Sequence, residues 1–575
     1  MIKLKMLLVL IVCILGSSGC RQQINQMPAD LILKSGKIYT LDVTQPWVEA
    51  VAISDGYYIF IGTDDAVDDY IGAHTEVVDL AGNMVMPGIN DAHVHPMDGA
   101  IKDLYECNFP FTATPKEIAI AVTACVAKNP DAQWIRGGQW GSNFFVDNTI
   151  ENPREWLDRI SGDKAVLLSD DSLHNAWLNS KALELMGIDI DTPNPPGVEI
   201  EKNDFSGELT GLVREGYGFL RELAPPPDPH EYSTAARHVC AIANKFGITG
   251  IKDASANATQ ISEFVQLDNR GELTVHFAGA LETPYGARES ALDIAELMRQ
   301  RRRLKSENVD TNFVKIFTDG VPTAARTAAM LSDYTPDKSS AIATAGYMHI
   351  DEARLTSDLI DLDAKGFTVK IHTAGDRSVH VALNAIAATR VANGPSGLRH
   401  ELAHAGYIDS ADIPRFRAVN AVADLSPYLW YPSPIIDSVI DAVGRPRGEK
   451  YWPIKSLLES EAPVLSGSDW PAAAADMNPW AAMEAMISRQ NPDGDYPGIL
   501  WPEEAVSLQQ VLQIFTLQNA RAMKIDDESG SVELGKLADL IVLNHNLFEI
   551  PTSEIGNTQV LRTLFAGTTV HLNEE

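Results

Sequence analysis

Both ends of the chain alternate apolar and polar residues over short runs that glycine and Asp-Gly interrupt. The runs cover residues 29–42, 49–62 and 75–88 near the N-terminus and residues 530–544 and 560–573 near the C-terminus. A period of two residues is typical of strands with one buried face, and the interruptions are typical of tight turns. Neither end could bury its apolar face alone. We therefore expect residues 29–85 and residues 526–575 to pair as one small β-sandwich.

In the stretch between these ends, residues 86–525, short apolar segments alternate with longer segments of helical periodicity. The strand-like segments are 164–170, 247–254, 273–279, 313–320, 367–373 and 462–469, and the helix-like segments are 115–128, 231–247, 293–304, 351–366 and 507–523. Such alternation indicates an α/β fold whose parallel βαβ units are numerous enough to close a (β/α)8 TIM-type barrel. A doubly wound open sheet is the alternative, but no GxGxxG sequence opens a helix after the first strand. Proline-rich residues 194–197 and 224–229 are expected to frame an insertion in the barrel.

The length of the chain indicates its domain organisation, and its net charge limits the kinds of molecule that it could bind. The chain of 575 residues suits one large catalytic domain with an accessory domain. Its formal net charge of −32 would repel a polyanion, which argues against nucleic acid as a partner. The charge does not identify a substrate, and the sequence leaves the oligomeric state open.

The first 20 residues differ from the rest of the chain and are expected to be a signal peptide. Lys3 and Lys5 precede the apolar run MLLVLIVCIL, and small residues follow up to Cys20. This is the pattern of a secretory signal, and the apolar run is too short to span a bilayer comfortably. The segment resembles a bacterial lipoprotein signal, although Ser17 stands where leucine is usual. The resemblance implies a lipid on Cys20 that anchors an exported protein to a membrane, on its periplasmic or cell-surface side; the alternative is a plain cleaved signal.

Three cysteines remain outside the signal segment, namely Cys107, Cys125 and Cys240. They are far apart, odd in number and in no CxxC spacing, so the sequence indicates neither a disulfide framework nor a cysteine metal site. We expect buried free thiols.

The strongest local motif is MPGINDAHVHP, residues 86–96. His93 and His95 are separated by one residue after an apolar strand, so both imidazoles lie on one face and could bind a single metal ion. At the C-terminal end of a barrel strand, that face opens into the mouth where barrel active sites lie. We therefore predict that both histidines are metal ligands.

MPGINDAHVH, together with GKLADLIVLN near the C-terminus, resembles the amidohydrolase superfamily. Further motifs are similar to strand-end motifs of the branch that contains the YtcJ-like proteins and N-substituted formamide deformylases. These motifs are LSDDSLHNAWLNSKAL (168–183), FVKIFTDG (313–320), VKIHTAGDRSV (369–379), RHELAHA (399–405) and GSDWPA (467–472). The resemblance covers residues from about 29 to 572. It implies a metal-dependent hydrolase barrel over residues 86–525.

Position by position, the resemblance implies three further metal ligands: His372 ending the fifth barrel strand, His404 the sixth and Asp469 the eighth. Neutral imidazoles bind zinc without cancelling its charge, so we expect one or two zinc ions, or another divalent metal. Asp469 is expected both to bind the metal and to act in catalysis, taking a proton from bound water and returning it to the leaving nitrogen.

Lys315, on the fourth strand, matches a lysine that related enzymes carboxylate to a carbamate bridging two metals. The reaction needs a neutral amine, which burial beside cations favours. The alternative for Lys315 is an ion pair with a carboxylate such as Asp319, and Lys252 and Lys370 are rival lysines.

His174, in LHNAWLNS, corresponds to a residue that touches the substrate in the family, where it could stabilise an oxyanion as a second catalytic group. The alternative is a histidine that caps the following helix. Asp376 and Arg377 are expected to be structural, with orientation of His372 as their second possible role.

Aromatic residues near the motifs suggest a substrate with an aryl or apolar group, with ordinary loop packing as the alternative. These residues are Trp140, Trp177, Trp430 and Trp470. Two departures from the family pattern, Ala403 before His404 and Ser426-Pro427 in place of Gln-Pro, bear on specificity more than on the metal site.

The sequence as a whole predicts an exported, metal-dependent hydrolase that cleaves a non-peptide, amide-like C–N bond of a small molecule with metal-activated water. A deaminase acting on the amidine carbon of a heterocycle would use the same residues. A surface-anchored binding protein without turnover is the non-enzymatic alternative, which the complete ligand set disfavours.

Overall fold

Eight parallel strands form the barrel that carries the candidate site. The structure, a computed structural model, describes residues 27–284, 290–336 and 344–573. In chain order the strands are Ile89–Val94, Ile248–Ala256, His276–Leu281, Val309–Phe317, Thr368–Thr373, Glu401–His404, Val422–Asp424 and Val464–Leu465. The amide of Ala92 on the first strand donates to the carbonyl of Ser466, beside the eighth, at 3.2 Å. This bond closes the sheet, and the predicted (β/α)8 barrel is confirmed.

Helices cover the outside of the barrel, which is why its strands are buried. Ile89–Val94 and Thr368–Thr373 are buried at every position, as expected of parallel strands. The helices are Pro96–Tyr105, Pro229–Lys245, Ala258–Asn269, Ile294–Arg303, Glu352–Ala364, Asp376–Asn393, Ile413–Val419, Pro434–Val443, Arg445–Gly448, Ile454–Glu459, Pro479–Ser488, Leu508–Gln513 and Asn519–Met523. A π-helical stretch, Ile514–Gln518, joins the last two where the sequence predicts one continuous helix.

A six-stranded sheet is inserted between the first and second barrel strands. Its order is Glu199–Lys202, Leu209–Arg214, Ala176–Leu178, Ala165–Asp170, Trp134–Trp140 and Cys107–Asn108. The helices Pro115–Lys128, Phe144–Asp147, Pro153–Ser161, Ser180–Met186 and Tyr217–Leu223 accompany it. We refer to residues 107–228 as the insertion. The proline-rich residues 194–197 lie within it and residues 224–229 at its end, so it begins well before the loops that were expected to frame it.

The assignment of residues 164–170 to the barrel was therefore wrong. Ala165–Asp170 pairs in parallel with Trp134–Trp140 and antiparallel with Ala176–Leu178, all within the insertion. Every residue of the strand is buried. An apolar run looks the same whichever sheet buries it, so its composition could not distinguish the two.

The expectation of free thiols was also wrong for two of the three cysteines. Cys107, on the edge strand of the inserted sheet, is bonded to Cys125 on the helix Pro115–Lys128, with their Cα atoms 5.9 Å apart. A separation of 18 residues matches no sequence motif, and only the fold brings the two together. Cys240 is free and buried, as expected.

Strands from both chain ends build the β-sandwich that was predicted. One sheet has the order Tyr57–Gly62, Ala50–Ser54, Leu31–Lys34 and Glu76–Asp79; the other has the order Thr568–Leu572, Val560–Phe565, Leu540–Leu543, Met84–Pro87, Lys37–Tyr39 and Trp47–Val48. Leu33 and Val51 of the first sheet pack in one core with Val85, Leu540 and Leu564 of the second. The two ends thus bury each other's apolar faces.

The predicted signal peptide and Cys20 lie outside the described residues. Among the residues that are described, no helix is both long enough and apolar enough to cross a membrane.

Candidate active site

His93 and His95 meet one carboxylate at the mouth of the barrel. The Oδ1 atom of Asp469 lies 3.3 Å from Nε2 of His93 and 3.3 Å from Nε2 of His95. The amide of Asp469 also donates to the carbonyl of His93 at 2.7 Å, which fixes the loop after the eighth strand against the first. Gly467 permits this approach, because a β-carbon there would collide with the backbone nitrogen of His93.

His404 and His372 lie next to this group. The ring centre of His404 lies 5.0 Å from that of His93 and 4.4 Å from that of His372. Ligand atoms of His93, His404 and Asp469 all lie within 4.8 Å of one another, close enough to share an ion. His404 and Asp469 adopt positive φ angles of 71° and 61°, a conformation that is uncommon outside glycine and recurs at functional sites.

The imidazoles are held by their Nδ1 atoms. His93 Nδ1 lies 2.5 Å from Asp424 Oδ2, and His404 Nδ1 lies 2.9 Å from the carbonyl oxygen of Ser426. His93 Nε2 is buried and has no hydrogen-bond partner among the described residues. A buried nitrogen without a partner is costly in a protein interior, and a metal ion is the group that this donor set fits.

The electrostatics favour neutral ligands. Burial holds the pKa of His93 well below its ordinary value, with the charge of Lys370 as the second cause. Burial likewise holds the pKa of His372 and that of His404 well below the ordinary range. Unprotonated imidazoles are the form that binds a metal.

His372 is oriented by Asp319 and not by the residues that the sequence suggested. Its Nδ1 atom lies 2.9 Å from Asp319 Oδ1. Asp376 instead accepts from the amide of Leu331, and the amide of Arg377 donates to a backbone carbonyl. Asp319 is therefore engaged with the histidine and is no ion-pair partner for Lys315.

Lys315 is buried on the fourth strand and lines the central cavity. Burial, with Lys370 as a second cause, lowers its pKa to about 8, although Asp469 opposes the shift. The rival lysines are engaged elsewhere: Lys370 Nζ lies 2.5 Å from Asp424 Oδ2, and Lys252 pairs with Glu401. Of the three lysines, Lys315 is the one that faces the cavity.

His174 reaches the same cavity from the insertion. Its ring centre is 5.3 Å from that of His372, and its Nδ1 atom is 2.7 Å from Oε2 of the buried Glu215. Burial alone would lower the pKa of His174, but the charge and hydrogen bond of Glu215, together with the charges of Asp170 and Asp469, outweigh burial and raise it. The helix that follows is capped by Asn179, so the alternative that His174 is its cap was wrong.

The cavity has a volume of about 830 Å³ and is shared by barrel and insertion. The aromatic residues in its lining are Tyr217, Tyr232 and Phe317. The four tryptophans expected around the mouth do not line it and are buried in the cores, with Trp177, for example, stacked on Trp156. These tryptophans therefore have the alternative role given above, ordinary packing, in which their bulky indole rings fill space between helices and strands.

The family model of the amidohydrolases matches residues 76–571. The chain belongs to the amidohydrolase family. Over 94% of its length it is 28% identical to an N-substituted formamide deformylase from Arthrobacter pascens, of which it covers 97%. It is 26% identical to the protein YtcJ of Bacillus subtilis, again over 94% of its length and covering 99% of that protein. The predicted branch of the family is confirmed.

A solved structure shows the same fold. A metal-dependent hydrolase from Pyrococcus horikoshii superposes on this amidohydrolase with a TM-score of 0.70 at 20% identity, over 91% of this chain and 99% of that one. The family makes this chain a hydrolase with a small-molecule substrate, and its fold is that of a protein named as a metal-dependent hydrolase.

Two acidic residues at the site of this amidohydrolase were missed in the sequence. Asp424 contacts His93 across 331 residues of sequence, and Glu215 contacts His174 across 41. ADLSP was interpreted only as an altered seventh-strand motif, although its aspartate ends a buried strand. Glu215 follows an insertion strand that no motif identifies, so no local signal marked it.

Proposed function

We propose that this amidohydrolase binds zinc and hydrolyses a non-peptide, amide-like C–N bond of a small molecule. The observation that carries the proposal is the buried Nε2 atom of His93, which makes no hydrogen bond among the described residues and lies 3.3 Å from Oδ1 of Asp469. The similarity to an N-substituted formamide deformylase, over 97% of the length of that relative, favours an amide over other substrates.

Six side chains are proposed to hold one or two zinc ions. Five of them line the cavity, namely His95, His372, His404, Asp469 and a carboxylated Lys315, and the sixth is His93, next to His404 and Asp469. The carboxylation of Lys315 is supported by the lowered pKa of its amine, because a neutral amine is the form that adds carbon dioxide. Bound zinc would lower the pKa of a water molecule and polarise a carbonyl group.

The protein's own groups would then move the proton and hold the substrate. Asp469 accepts the proton that water loses as its oxygen bonds to the amide carbon, and returns it to the nitrogen as the C–N bond breaks. His174, kept protonated by Glu215, faces the negative charge that develops on the carbonyl oxygen. Tyr217, Tyr232 and Phe317 would contact an aryl or apolar substituent.

We also propose that the protein is exported and anchored by a lipid on Cys20. The signal-like N-terminal pattern supports this, and so does the Cys107–Cys125 disulfide, because disulfides persist mainly in oxidising compartments.

A substrate screen tests the proposed activity. Purified protein is offered N-formyl and N-acyl derivatives of benzylamine, and in parallel amino-substituted heterocycles. We expect release of the amine from the amides, loss of activity with a chelator and recovery with zinc. Release of ammonia from the heterocycles alone would establish the deaminase alternative instead.

Metal content tests the ligand assignment. His93→Ala and His95→Ala should each lose the bound metal and the activity while the circular dichroism spectrum is unchanged. His230→Ala, an exposed histidine, is the matched control. Full metal occupancy in either cluster variant would refute the assignment.

A further inference from the structure

Asp424 sits at the end of the seventh barrel strand, fully buried, with both of its oxygens occupied. Oδ1 accepts the hydroxyl of Ser426 at 2.6 Å. Oδ2 lies 2.5 Å from Lys370 Nζ and 2.5 Å from His93 Nδ1. Lys370 is buried too, and its second carboxylate partner is Glu401, 3.0 Å away.

These contacts determine which nitrogen of His93 carries the hydrogen. A lysine ammonium can only donate, so Asp424 Oδ2 is an acceptor. An oxygen that accepts from the ammonium accepts from the imidazole as well, so the imidazole donates. His93 therefore has its hydrogen on Nδ1, and the lone pair of Nε2 points towards Asp469.

Asp319 makes the same arrangement at His372. Its Oδ2 accepts from the amides of Ala329 and Gly375 and from the hydroxyl of Ser378, and its Oδ1 accepts from the amide of Ala374. A carboxylate that accepts from three backbone amides acts as an acceptor, so His372 Nδ1 donates to it.

We propose that Asp424 and Asp319 are positioning residues of the metal centre. Each fixes the Nδ1–H tautomer of one histidine and so presents a free Nε2 lone pair before any metal arrives. The proposal rests on the proposed function in one respect, namely that His93 and His372 bind the metal. It goes further by assigning a role to two residues that need not touch the ion.

Asp424→Asn tests the proposal. An asparagine offers one oxygen to two donors, and its NH2 group would favour hydrogen on Nε2 of His93. Carboxylates that support metal-bound histidines typically contribute about 10- to 100-fold in metal affinity. We expect the dissociation constant for zinc, measured by chelator competition, to rise by about that factor.

Asp539→Asn is the matched control. Asp539 is buried and lies 2.8 Å from Nε2 of the buried His276, in a pair outside the metal cluster. This variant should bind zinc as the unmodified protein does. An equal loss in both variants would overturn the proposal, because it would show a general effect of removing a buried carboxylate.

The tautomer itself is read by 15N NMR of histidine-labelled, metal-free protein, with the His93 signal identified by its loss in His93→Ala. We expect hydrogen on Nδ1 in the unmodified protein and on Nε2 in Asp424→Asn. An unchanged tautomer would refute the proposal even if no zinc bound, whereas absence of zinc binding in the unmodified protein would refute the proposed function. Should Asp424→Asn fail to fold, Asp319→Asn gives the same test at His372.

Discussion

Two tasks are proposed for the side chain of Asp469, namely metal binding and proton transfer. Its Oδ1 atom is equidistant from the Nε2 atoms of His93 and His95, at 3.3 Å, as a metal ligand would be. In the proposed role the side chain is an anion at neutral pH, which is the state that accepts a proton.

Replacement of Asp469 by asparagine separates the two tasks. Asn keeps the shape but loses the basic oxygen, and general acid–base groups contribute about 10²- to 10⁴-fold in rate. We expect Asp469→Asn to lose turnover by at least about a hundredfold while it keeps its metal. The measurements are kcat and metal content. Near-normal turnover would assign the base to another residue, and complete loss of metal would make Asp469 chiefly a ligand.

Glu215→Gln should change the pH dependence of the reaction. With Glu215 present, the pKa of His174 is raised, so the imidazolium persists to higher pH. Without the negative charge, burial remains and lowers the pKa. The limb of the profile of kcat/KM against pH that reports His174 should therefore move to lower pH.

Glu504→Gln is the control for that experiment. Glu504 is equally a buried glutamate, but its carboxylate is bonded to Ser456, away from the cavity. Its profile should match that of the unmodified protein, and a shift in this variant as large as that of Glu215→Gln would contradict the role of Glu215.

At the residue scale, site residues that belong to sequence motifs could be predicted. Residues that contribute only by contacting those side chains were missed. His93 and His95 could be located because alternation along a strand assigns them one face. Asp424 and Glu215 could not, because their partners are chosen by neighbouring strands and by the packing of the insertion. The tryptophans were misplaced for a related reason: sequence position beside a motif does not tell which way a side chain points.

At the scale of elements, five of the eight barrel strands lie in apolar runs that the sequence analysis recognised, and the first, sixth and seventh were recognised only through motifs. The error was Ala165–Asp170, whose burial in the insertion mimics burial in the barrel. Short strands such as Val464–Leu465 were located through their motif more than through their length. Pairing partners are a property of the whole fold, which a local run does not encode.

At the scale of elements, the Cys107–Cys125 disulfide is expected to make a measurable contribution to the free energy of unfolding. Disulfides typically contribute about 2–4 kcal/mol to the free energy of unfolding. Replacing both Cys107 and Cys125 by serine should therefore lower the unfolding temperature of the insertion. Tryptophan fluorescence reports it, because Trp156 and Trp177 are packed there.

Cys240→Ser is the control for this measurement, since Cys240 is a free thiol in the helix Pro229–Lys245. An equal unfolding temperature for the double variant and the unmodified protein, under non-reducing conditions, would show that the disulfide does not stabilise the insertion.

At the scale of the whole molecule, the predicted pairing of the two chain ends is the part of the fold that followed most directly from physics. The strands at each chain end carry an apolar face that is too large to expose to solvent and too small to form a core alone. The two faces therefore pack against each other. The size and position of the insertion could not be predicted in this way, because its strands show the same hydrophobic patterns as the strands of the barrel.

Cellular location is also a whole-molecule property. We expect Cys20→Ala to release the protein from the membrane fraction or to block its processing, because the small-residue segment ends at that cysteine. Cys13→Ala, within the apolar run, should fractionate as the unmodified protein does. Unchanged fractionation of Cys20→Ala, with no modification of Cys20 in mass spectra of the unmodified protein, would contradict the lipid anchor.

The strand Met84–Pro87 pairs with Leu540–Leu543 and runs on, through Gly88, into the strand Ile89–Val94, which carries His93 and ends just before His95. A ribosome makes the first of these segments long before the second. The sheet that holds the start of the histidine strand is therefore incomplete until Leu540–Leu543 has been made. At the proposed site the metal would be loaded only after that segment has been made, and under the proposed export the supply of metal that matters is the one in the compartment where the protein arrives.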